Sequence, residues 1–135
     1  MVGELLGSPK LEPQKRTVQA RGIEYLAASK LTELGYLVSL PSKGTSYDLI
    51  VGSEAQLFKV EVKYATIPSD RNTASVTVGT GKNRDEAARN HFDLLLVKTR
   101  GSENDWYLIP VEEVEGKVNI GVGQSTQYSR YIIDI

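Results

Sequence analysis

Two neighbouring segments in the first half of the chain show the pattern of β-strands. YDLIV (47–51) is mostly apolar, and LFKVEVKYA (57–65) alternates apolar and polar positions. Alternation with a period of two predicts strands, and the turn sequence GSEAQ between the segments predicts an antiparallel hairpin. If residues 53–56 form a four-residue loop, Val51 lies opposite Phe58.

The segment before the hairpin has the period of a helix. After Pro13, apolar residues recur on one face at about 3.6 residues per turn, namely Ile23, Leu26, Ala27, Leu31 and Leu34. Gly35 is predicted to end the helix at the C′ position. Glu24 borders this apolar stripe. Gly22 lies in the middle of the helix, where glycine costs about 1 kcal/mol relative to alanine, so we expect another backbone to approach closely there.

The rest of the chain predicts more strands and one more helix. Strands are predicted at 36–40, 73–80, 92–99 and 106–114 (ending near Pro110), with weaker edge strands at KVNIGV and YSRYIIDI. NRDEAARNH (83–91) is predicted to form a short polar helix. Segment 92–99 is nearly all apolar and should be buried on both faces. This order predicts one α/β domain over residues 1–135, in which a central mixed sheet is flanked by helices and residues 1–13 form a flexible arm.

Composition excludes several classes of protein. The chain has no cysteine, which excludes disulfides, thiolate metal sites and a cysteine nucleophile and fits a reducing cell interior. It has no apolar run near the ~20 residues that a transmembrane helix needs, and its first residues lack the pattern of a signal peptide. We therefore expect an intracellular, cytoplasmic protein with no membrane partner, and a prokaryotic or phage-type context is plausible.

Charge is distributed unevenly, although the net charge is only −1. Basic residues outnumber acidic ones in 1–22 and 63–91, whereas acidic residues dominate 101–117. A basic face of this kind suits a polyanion such as DNA. The alternative is that these charges belong to an ordinary solvated surface.

The second strand of the hairpin carries charges on one face only. Because side chains alternate across a strand, Lys59, Glu61 and Lys63 share the face opposite to that of the apolar residues. The hairpin register also places Asp48 opposite Glu61, with Cβ atoms about 5 Å apart. A charged face on a strand that lies near the buried segment 92–99 requires an explanation.

A divalent cation would relieve the repulsion between two such carboxylates. Mg²⁺ takes a few carboxylate oxygens and keeps several waters, and Glu24 on the helix would add a third carboxylate. The Lys63 ammonium would hold a phosphate oxygen or orient a water. In outline this is a site for metal-assisted phosphodiester hydrolysis. The alternative is that Asp48, Glu61 and Lys63 only decorate a solvent-facing strand.

Three short motifs resemble those of one nuclease superfamily. RGIE (21–24), YDLIV (47–51) and VEVK (60–63) stand in the order and spacing of the PD-(D/E)XK nucleases. The resemblance extends over residues 17–110 and implies an αβββαβ, restriction-endonuclease-like core. The EVK triplet is similar to that of archaeal-type Holliday junction resolvases, and the succession of strands is similar to small homing endonucleases of the same superfamily. Tyr47 departs from the motif, which has proline there.

The resemblance implies roles for these residues. Asp48, Glu61 and the backbone carbonyl of Val62 would bind Mg²⁺, for which Mn²⁺ is expected to substitute. Glu24 would be a helical carboxylate near the ion, and Lys63 would assist the attacking water or stabilise the developing charge. The candidate DNA contacts are Lys15, Arg16, Arg21, Lys43, Ser46, Arg71, Lys82 and Arg84.

Sequence analysis therefore predicts a single-domain, Mg²⁺-dependent DNA endonuclease that acts as a homodimer or higher homo-oligomer. The small size favours a structure-specific, Holliday junction resolvase-like enzyme of DNA recombination. Two alternatives remain open within the superfamily: a sequence-specific homing or restriction-type endonuclease, and a catalytically silent nucleic-acid-binding module. A third alternative is an interaction protein without a catalytic site.

Overall fold

The computed structural model describes residues 15–41, 45–79 and 86–135, with side chains from Val18 onwards in the first range. Helix α1 (Lys15–Glu33) comes first. It is followed by the strands β1 (Leu37–Ser39), β2 (Leu49–Gly52), β3 (Leu57–Ile67), β4 (Ala74–Thr77), β5 (Leu94–Gly101), β6 (Trp106–Pro110), β7 (Asn119–Val122) and β8 (Ile132–Ile133). Two short 3₁₀ helices, Val111–Glu113 and Gln127–Tyr131, lie before β7 and β8.

Six of the strands form one mixed sheet in the order β1-β2-β3-β5-β6-β8. β3 and β5 pair in parallel, and every other pair in this sheet is antiparallel. β4 and β7 form a separate antiparallel ribbon. The predicted mixed α/β architecture is confirmed, and the central strand β5 has Leu95, Leu96 and Val97 fully buried.

The β2–β3 hairpin has the predicted register. Val51 pairs with Phe58 and Leu49 pairs with Val60. The loop is closed by a hydrogen bond from the Ser53 N–H to the Gln56 carbonyl, 3.0 Å long. The register therefore follows from the loop length and the alternation of side chains.

The two faces of the sheet are covered by different elements. α1 covers one face, where Ala27, Ala28 and Leu31 pack against residues such as Val60 and Val62. The β4–β7 ribbon covers the other face, with a core that includes Ala65, Ile67, Leu95, Val97 and Ile109. The charged face of β3 is the one that faces the ribbon side, so Glu61 and Lys63 lie at the margin of that second core.

Asp93 fixes the start of β5 against β3. Its backbone N–H donates to the Lys59 carbonyl, and its Oδ2 accepts the Lys59 N–H, each bond being 2.8 Å long. The Asp93 carbonyl accepts the Val111 N–H at 3.0 Å. These bonds fix the parallel register between β5 and the part of β3 that carries the charged residues.

α1 ends as predicted at Gly35. This glycine has a φ of 96°, which is the left-handed region that favours glycine. The Gly35 N–H donates to the Thr32 carbonyl at 2.9 Å, and the Tyr36 N–H donates to the Leu31 carbonyl at 3.1 Å. Together these two bonds form a Schellman motif. In the described ranges, no helix combines the length and the apolar character needed to span a bilayer.

The buried face of α1 differs from the prediction. Ala27 and Leu31 are buried as expected, but Leu26 is 41% exposed and Leu34 is 56% exposed, while Ala28 is buried instead. At 100° per residue, the contact face is rotated by roughly 70° from the predicted stripe. The small side chains of Ala27 and Ala28 allow the helix to lie close to the sheet. The rotation also moves Glu24 inward.

The prediction of a second helix over residues 83–91 is wrong for the part that the structure describes. Residues 86–91 form extended and turn structure, and 83–85 lie outside the described residues. The Ala87 N–H donates to the Lys117 carbonyl and the Ala87 carbonyl accepts the Gly116 N–H, each at 2.9 Å. Ala87 is also buried. The segment is held by backbone hydrogen bonds to residues distant in the sequence and by the buried Ala87 side chain. The predicted helix would have had no apolar stripe to bury.

Candidate active site

The candidate site lies where β2 begins beside the middle of β3. Asp48 immediately precedes β2, and its N–H donates to the Val60 carbonyl at 2.9 Å. Its Oδ2 accepts the Val62 N–H at 2.8 Å. The Asp48 carboxylate is therefore held against the backbone of the neighbouring strand, one step along the register from the Leu49–Val60 pair.

Glu61 and Lys63 complete the hairpin part of the site. The Lys63 Nζ lies 3.4 Å from the Glu61 Oε1. The Glu61 side chain is only 13% exposed, whereas that of Lys63 is 32% exposed. Glu61 also lies close enough to Asp48 for the Asp48 charge to help raise the pKa of Glu61. The predicted juxtaposition of Asp48 with Glu61 is therefore present in the structure.

α1 brings a third carboxyl group to the same place. Glu24 lies close enough to Asp48 for the Asp48 charge to help raise the pKa of Glu24. Its Oε2 lies 3.4 Å from the Arg21 Nη1, and its side chain is 13% exposed. Glu24 reaches Asp48 because α1 is rotated toward the sheet.

Burial, together with the nearby Asp48 charge, raises the pKa values of two of these carboxyl groups. Burial raises the pKa of Glu61 to about 8, and the Asp48 charge adds to the effect while Lys63 opposes it. Burial likewise raises the pKa of Glu24 to about 7, with contributions from the Asp48 hydrogen bond and charge and an opposing one from Arg21. Because both pKa values lie at or above about 7, the metal-free site retains protons near neutral pH.

The donor set fits a hard divalent cation. It offers carboxylate oxygens from Asp48, Glu61 and Glu24 and a backbone carbonyl from Val62, which are the ligand types that Mg²⁺ takes. In the described residues, however, no group of three or more His, Cys, Asp or Glu side chains is arranged to hold a metal ion. Burial raises the pKa values of Glu61 and Glu24, and a bound cation would favour their charged forms.

The predicted DNA contacts are dispersed around this site. Arg21 lies beside Glu24 in the site itself. The Ser46 hydroxyl donates to the His91 carbonyl at 2.8 Å, next to the start of β2. Arg71 is exposed in the turn that follows β3. Lys15 and Arg16 lie in the first turn of α1, where side chains are not described, and Lys43, Lys82 and Arg84 lie outside the described residues.

Lys59 is a cation near the site that sequence analysis did not include among the candidates. Its Nζ lies 5.8 Å from the centre of the Tyr47 ring and donates to the Asn90 carbonyl at 3.3 Å. Strand alternation places it on the same face as Glu61 and Lys63. The alternation of side chains along β3, which identified Glu61 and Lys63, also indicates Lys59.

Comparison with known proteins identifies the family. The sequence model of the PD-(D/E)XK endonucleases matches residues 16–130. The structure is similar to that of the bacterial homing endonuclease I-Ssp6803I, with a TM-score of 0.71 and 19% identity, covering 87% of this chain and 88% of that one. It is also similar to Hjc, a Holliday junction resolvase from the archaeal hyperthermophile Archaeoglobus fulgidus, with a TM-score of 0.57 and 16% identity, covering 87% and 92%. No curated protein sequence matches the chain.

These findings agree with the architecture of the sheet and with the motifs on the hairpin. At identities of 19% and 16%, the two solved structures establish the restriction-endonuclease-like fold. The family match spans most of the chain, including α1, the hairpin and the strands that follow it. The chain belongs to the PD-(D/E)XK endonuclease family.

Proposed function

We propose that the chain is a Mg²⁺-dependent DNA endonuclease that hydrolyses phosphodiester bonds. The observation that carries this proposal is the convergence of Asp48, Glu61, Glu24 and Lys63 at one margin of the sheet. Burying two carboxyl groups beside a third is costly for stability, as the raised pKa values of Glu61 and Glu24 indicate. A costly cluster of this kind in a nuclease family is typical of a catalytic centre.

Asp48, Glu61 and the Val62 carbonyl would hold the Mg²⁺ ion, with Glu24 next to it. When bound, the ion would supply Lewis-acid stabilisation of the phosphate charge. The carboxyl groups of Glu61 and Glu24 must lose their protons to act as ligands, so binding should weaken as the pH falls. Mn²⁺ takes similar oxygen ligands and should substitute.

Lys63 has the position of a residue that acts on the reacting atoms. Its ammonium is partly exposed and is oriented by Glu61, 3.4 Å away. From there it would donate a hydrogen bond to the attacking water or to a phosphate oxygen. Charge that develops on the phosphate would strengthen this bond, and fixed donors of this kind contribute about 10²–10³ in rate.

For the substrate we propose branched DNA of the Holliday junction type, and with it a role in DNA recombination. In the described part of the chain, α1 and the β4–β7 ribbon both pack onto the sheet, so neither projects into a groove to read a long sequence. The similarity to Hjc over 92% of its length also supports this substrate. The second candidate is a site in linear duplex DNA, which the higher TM-score with the homing endonuclease favours.

We also propose that the enzyme is a homodimer or a higher homo-oligomer, since cutting two strands of one substrate requires two sites. The absence of cysteine suits a protein that meets its DNA in the reducing interior of the cell.

The test is cleavage of labelled DNA with Mg²⁺ or with EDTA. The panel contains a four-way junction with a fixed centre, a linear duplex and a single strand. Wild-type protein is compared with Glu61→Gln and Lys63→Met. The matched control is Lys98→Met, because Lys98 lies on β5 next to Tyr64 and on the opposite face of the sheet from Lys63.

We expect Mg²⁺-dependent nicks in the junction that fall by at least about 10²-fold in Glu61→Gln and Lys63→Met and persist in Lys98→Met. Binding to the junction in Ca²⁺ should be unchanged in Lys63→Met, which separates chemistry from affinity. Cuts confined to linear duplex would select the second candidate. Binding without metal-dependent cleavage would overturn the enzyme proposal and leave a catalytically silent module.

A further inference from the structure

Lys59 adds a cation to the rim of the candidate active site. Alternation along β3 places its side chain on the same face as those of Glu61 and Lys63. Two residues of strand span about 7 Å, so the Cα atom of Lys59 lies about that far from the Cα atom of Glu61. Lys59 is displaced from Glu61 toward the hairpin loop, on the side away from Lys63.

The Lys59 ammonium is held by two neutral groups. Its Nζ lies 5.8 Å from the centre of the Tyr47 ring and donates to the Asn90 carbonyl at 3.3 Å. The Tyr47 ring packs against the core on the ribbon side of the sheet, which fixes its position. The Ser46 hydroxyl donates to the His91 carbonyl at 2.8 Å, so the two segments that frame Lys59 are also bonded to each other. The ammonium is therefore oriented before a ligand arrives.

The charge of Lys59 has no acidic partner within residues 15–41, 45–79 and 86–135. None of the ion pairs in these ranges includes Lys59, whereas Arg21, Lys63 and Arg89 each have a carboxylate partner. An ammonium has three N–H donors, and the Asn90 carbonyl takes one of them. A restrained cation with donors to spare is suited to an anionic group on a ligand.

We propose that Lys59 binds a phosphate of the cut DNA strand beside the scissile phosphate, and that Tyr47 positions the Lys59 ammonium. This inference deepens the proposed function and rests on it. Consecutive phosphates of one strand advance by about 3.4 Å along the duplex axis, so a cation about 7 Å from Glu61 faces a phosphate about one or two nucleotides from the cut. Lys59 contributes to affinity, because Lys63 and the carboxylates occupy the positions next to the reacting atoms.

The contact with Lys59 also gives a role to the residue at position 47. The superfamily motif has proline there, and a proline ring offers no aromatic face to an ammonium. Phenylalanine would keep that face and leucine would remove it. Substitutions of Tyr47 therefore separate the effect of the ring from that of the hydroxyl group.

The test measures binding of the four-way junction by fluorescence anisotropy in Ca²⁺, from about 0.05 to 0.5 M KCl. The variants are Lys59→Met, Lys59→Arg, Tyr47→Phe and Tyr47→Leu, together with the double variant Lys59→Met/Tyr47→Leu. The matched control is Lys98→Met. The Lys98 Nζ lies 5.7 Å from the centre of the Trp106 ring and donates to the Thr99 carbonyl at 2.9 Å, but on the opposite face of the sheet.

We expect Lys59→Met to weaken binding about 5-fold at about 0.1 M KCl and to make the slope of log affinity against log salt shallower by about 0.9, the value for one phosphate contact. Lys59→Arg and Tyr47→Phe should stay within about 2-fold of wild type, because they keep the charge and the ring. Lys98→Met should keep the wild-type slope. Tyr47→Leu should weaken binding, but it should add no loss to that of Lys59→Met.

Two further measurements locate the contact. The single-turnover rate of cleavage in Mg²⁺ at saturating protein should change less than about 2-fold in Lys59→Met, whereas it falls in Lys63→Met. A neutral methylphosphonate then replaces, one at a time, the phosphates near the junction centre. At one of these positions it should weaken the binding of wild type but not that of Lys59→Met, which lacks the partner charge.

Three results would overturn the inference. The first is a Lys59→Met variant with wild-type affinity and salt slope, whatever its resistance to urea. The second is an equal change in Lys98→Met, since the effect would then be one of net charge. The third is an added loss in the double variant, which would show that Tyr47 does not act through Lys59.

The inference and the proposed function fail separately. If one of these three results occurs while wild type cuts DNA with Mg²⁺, the inference fails and the proposed function stands. If wild type binds the junction without cutting it, the enzyme proposal fails and the salt slope still decides on Lys59. A wild-type protein that binds no DNA would overturn both.

Discussion

Replacing Glu61 with glutamine should make the metal-free protein more stable at alkaline pH. The ordinary pKa of this carboxyl group is 4.5, and burial raises it to about 8 in the folded protein. The folded state therefore holds the proton more tightly than the unfolded state does. Stability from this group is complete below pH 4.5 and is lost as the pH rises to about 8.

The size of the effect follows from the two pKa values. The full difference corresponds to about 5 kcal/mol in the free energy of unfolding. The Glu61 side chain is only 13% exposed, so solvent screens it little. Rearrangement of Lys63 and entry of water reduce the cost, and we expect about 2 to 4 kcal/mol.

The assay is urea denaturation in EDTA at pH 5 and at pH 8.5. Glu61→Gln should match wild type within about 1 kcal/mol at pH 5 and exceed it by about 2 to 4 kcal/mol at pH 8.5. Glu54→Gln, in the exposed hairpin loop, is the control and should follow wild type at both values. Mg²⁺ should restore the stability of wild type at pH 8.5 but have little effect on Glu61→Gln. Equal losses in wild type and Glu61→Gln between the two pH values would refute the reasoning.

Two further predictions concern stability away from the site. Gly101 has a φ of 110°, and a Cβ there would collide with the Ile67 carbonyl, so Gly101→Ala should cost about 2 to 4 kcal/mol in urea denaturation. Gly116→Ala, at a φ of 82° but with the Glu86 Oε2 at 4.0 Å as the nearest contact among the described residues, should cost only about 1 kcal/mol, and equal costs would contradict this explanation. The buried Tyr107 hydroxyl has no hydrogen-bond partner among the described residues, so Tyr107→Phe should leave the melting temperature unchanged or raise it. A clear loss of stability would indicate an undetected partner of that hydroxyl.

The hairpin was predictable because its determinants are local. A four-residue loop and strict alternation define which residues of β2 and β3 face each other, and a slip of one residue would place Val60 and Val62 on the wrong face. The positions of Asp48, Glu61 and Lys63 relative to one another followed directly. Lys59 was on the same face by the same rule, but its contacts with Tyr47 and the Asn90 carbonyl depend on distant residues.

The orientation of α1 was not predictable from its own pattern. Apolar residues occur on both its inner and outer sides, so the stripe that includes Leu26 looked as suitable for burial as the one that includes Ala28. In the folded protein, the small residues Ala27 and Ala28 lie against the sheet and Leu26 stays exposed. The segment 86–91 was misassigned for a related reason, since its backbone bonds to residues near Lys117 are non-local and leave no trace in the local sequence.

Most of the candidate site lies on a single hairpin, residues 48–63, and α1 supplies Glu24 with Arg21 beside it. Hairpins form within microseconds, and their internal geometry depends little on the rest of a fold. If the proposed function holds, insertions, deletions or new loops beyond β3 would therefore change which substrate the chain contacts without altering the spacing of the carboxylates. An arrangement of this kind lets the choice of substrate diverge during evolution while the hydrolytic chemistry is inherited unchanged.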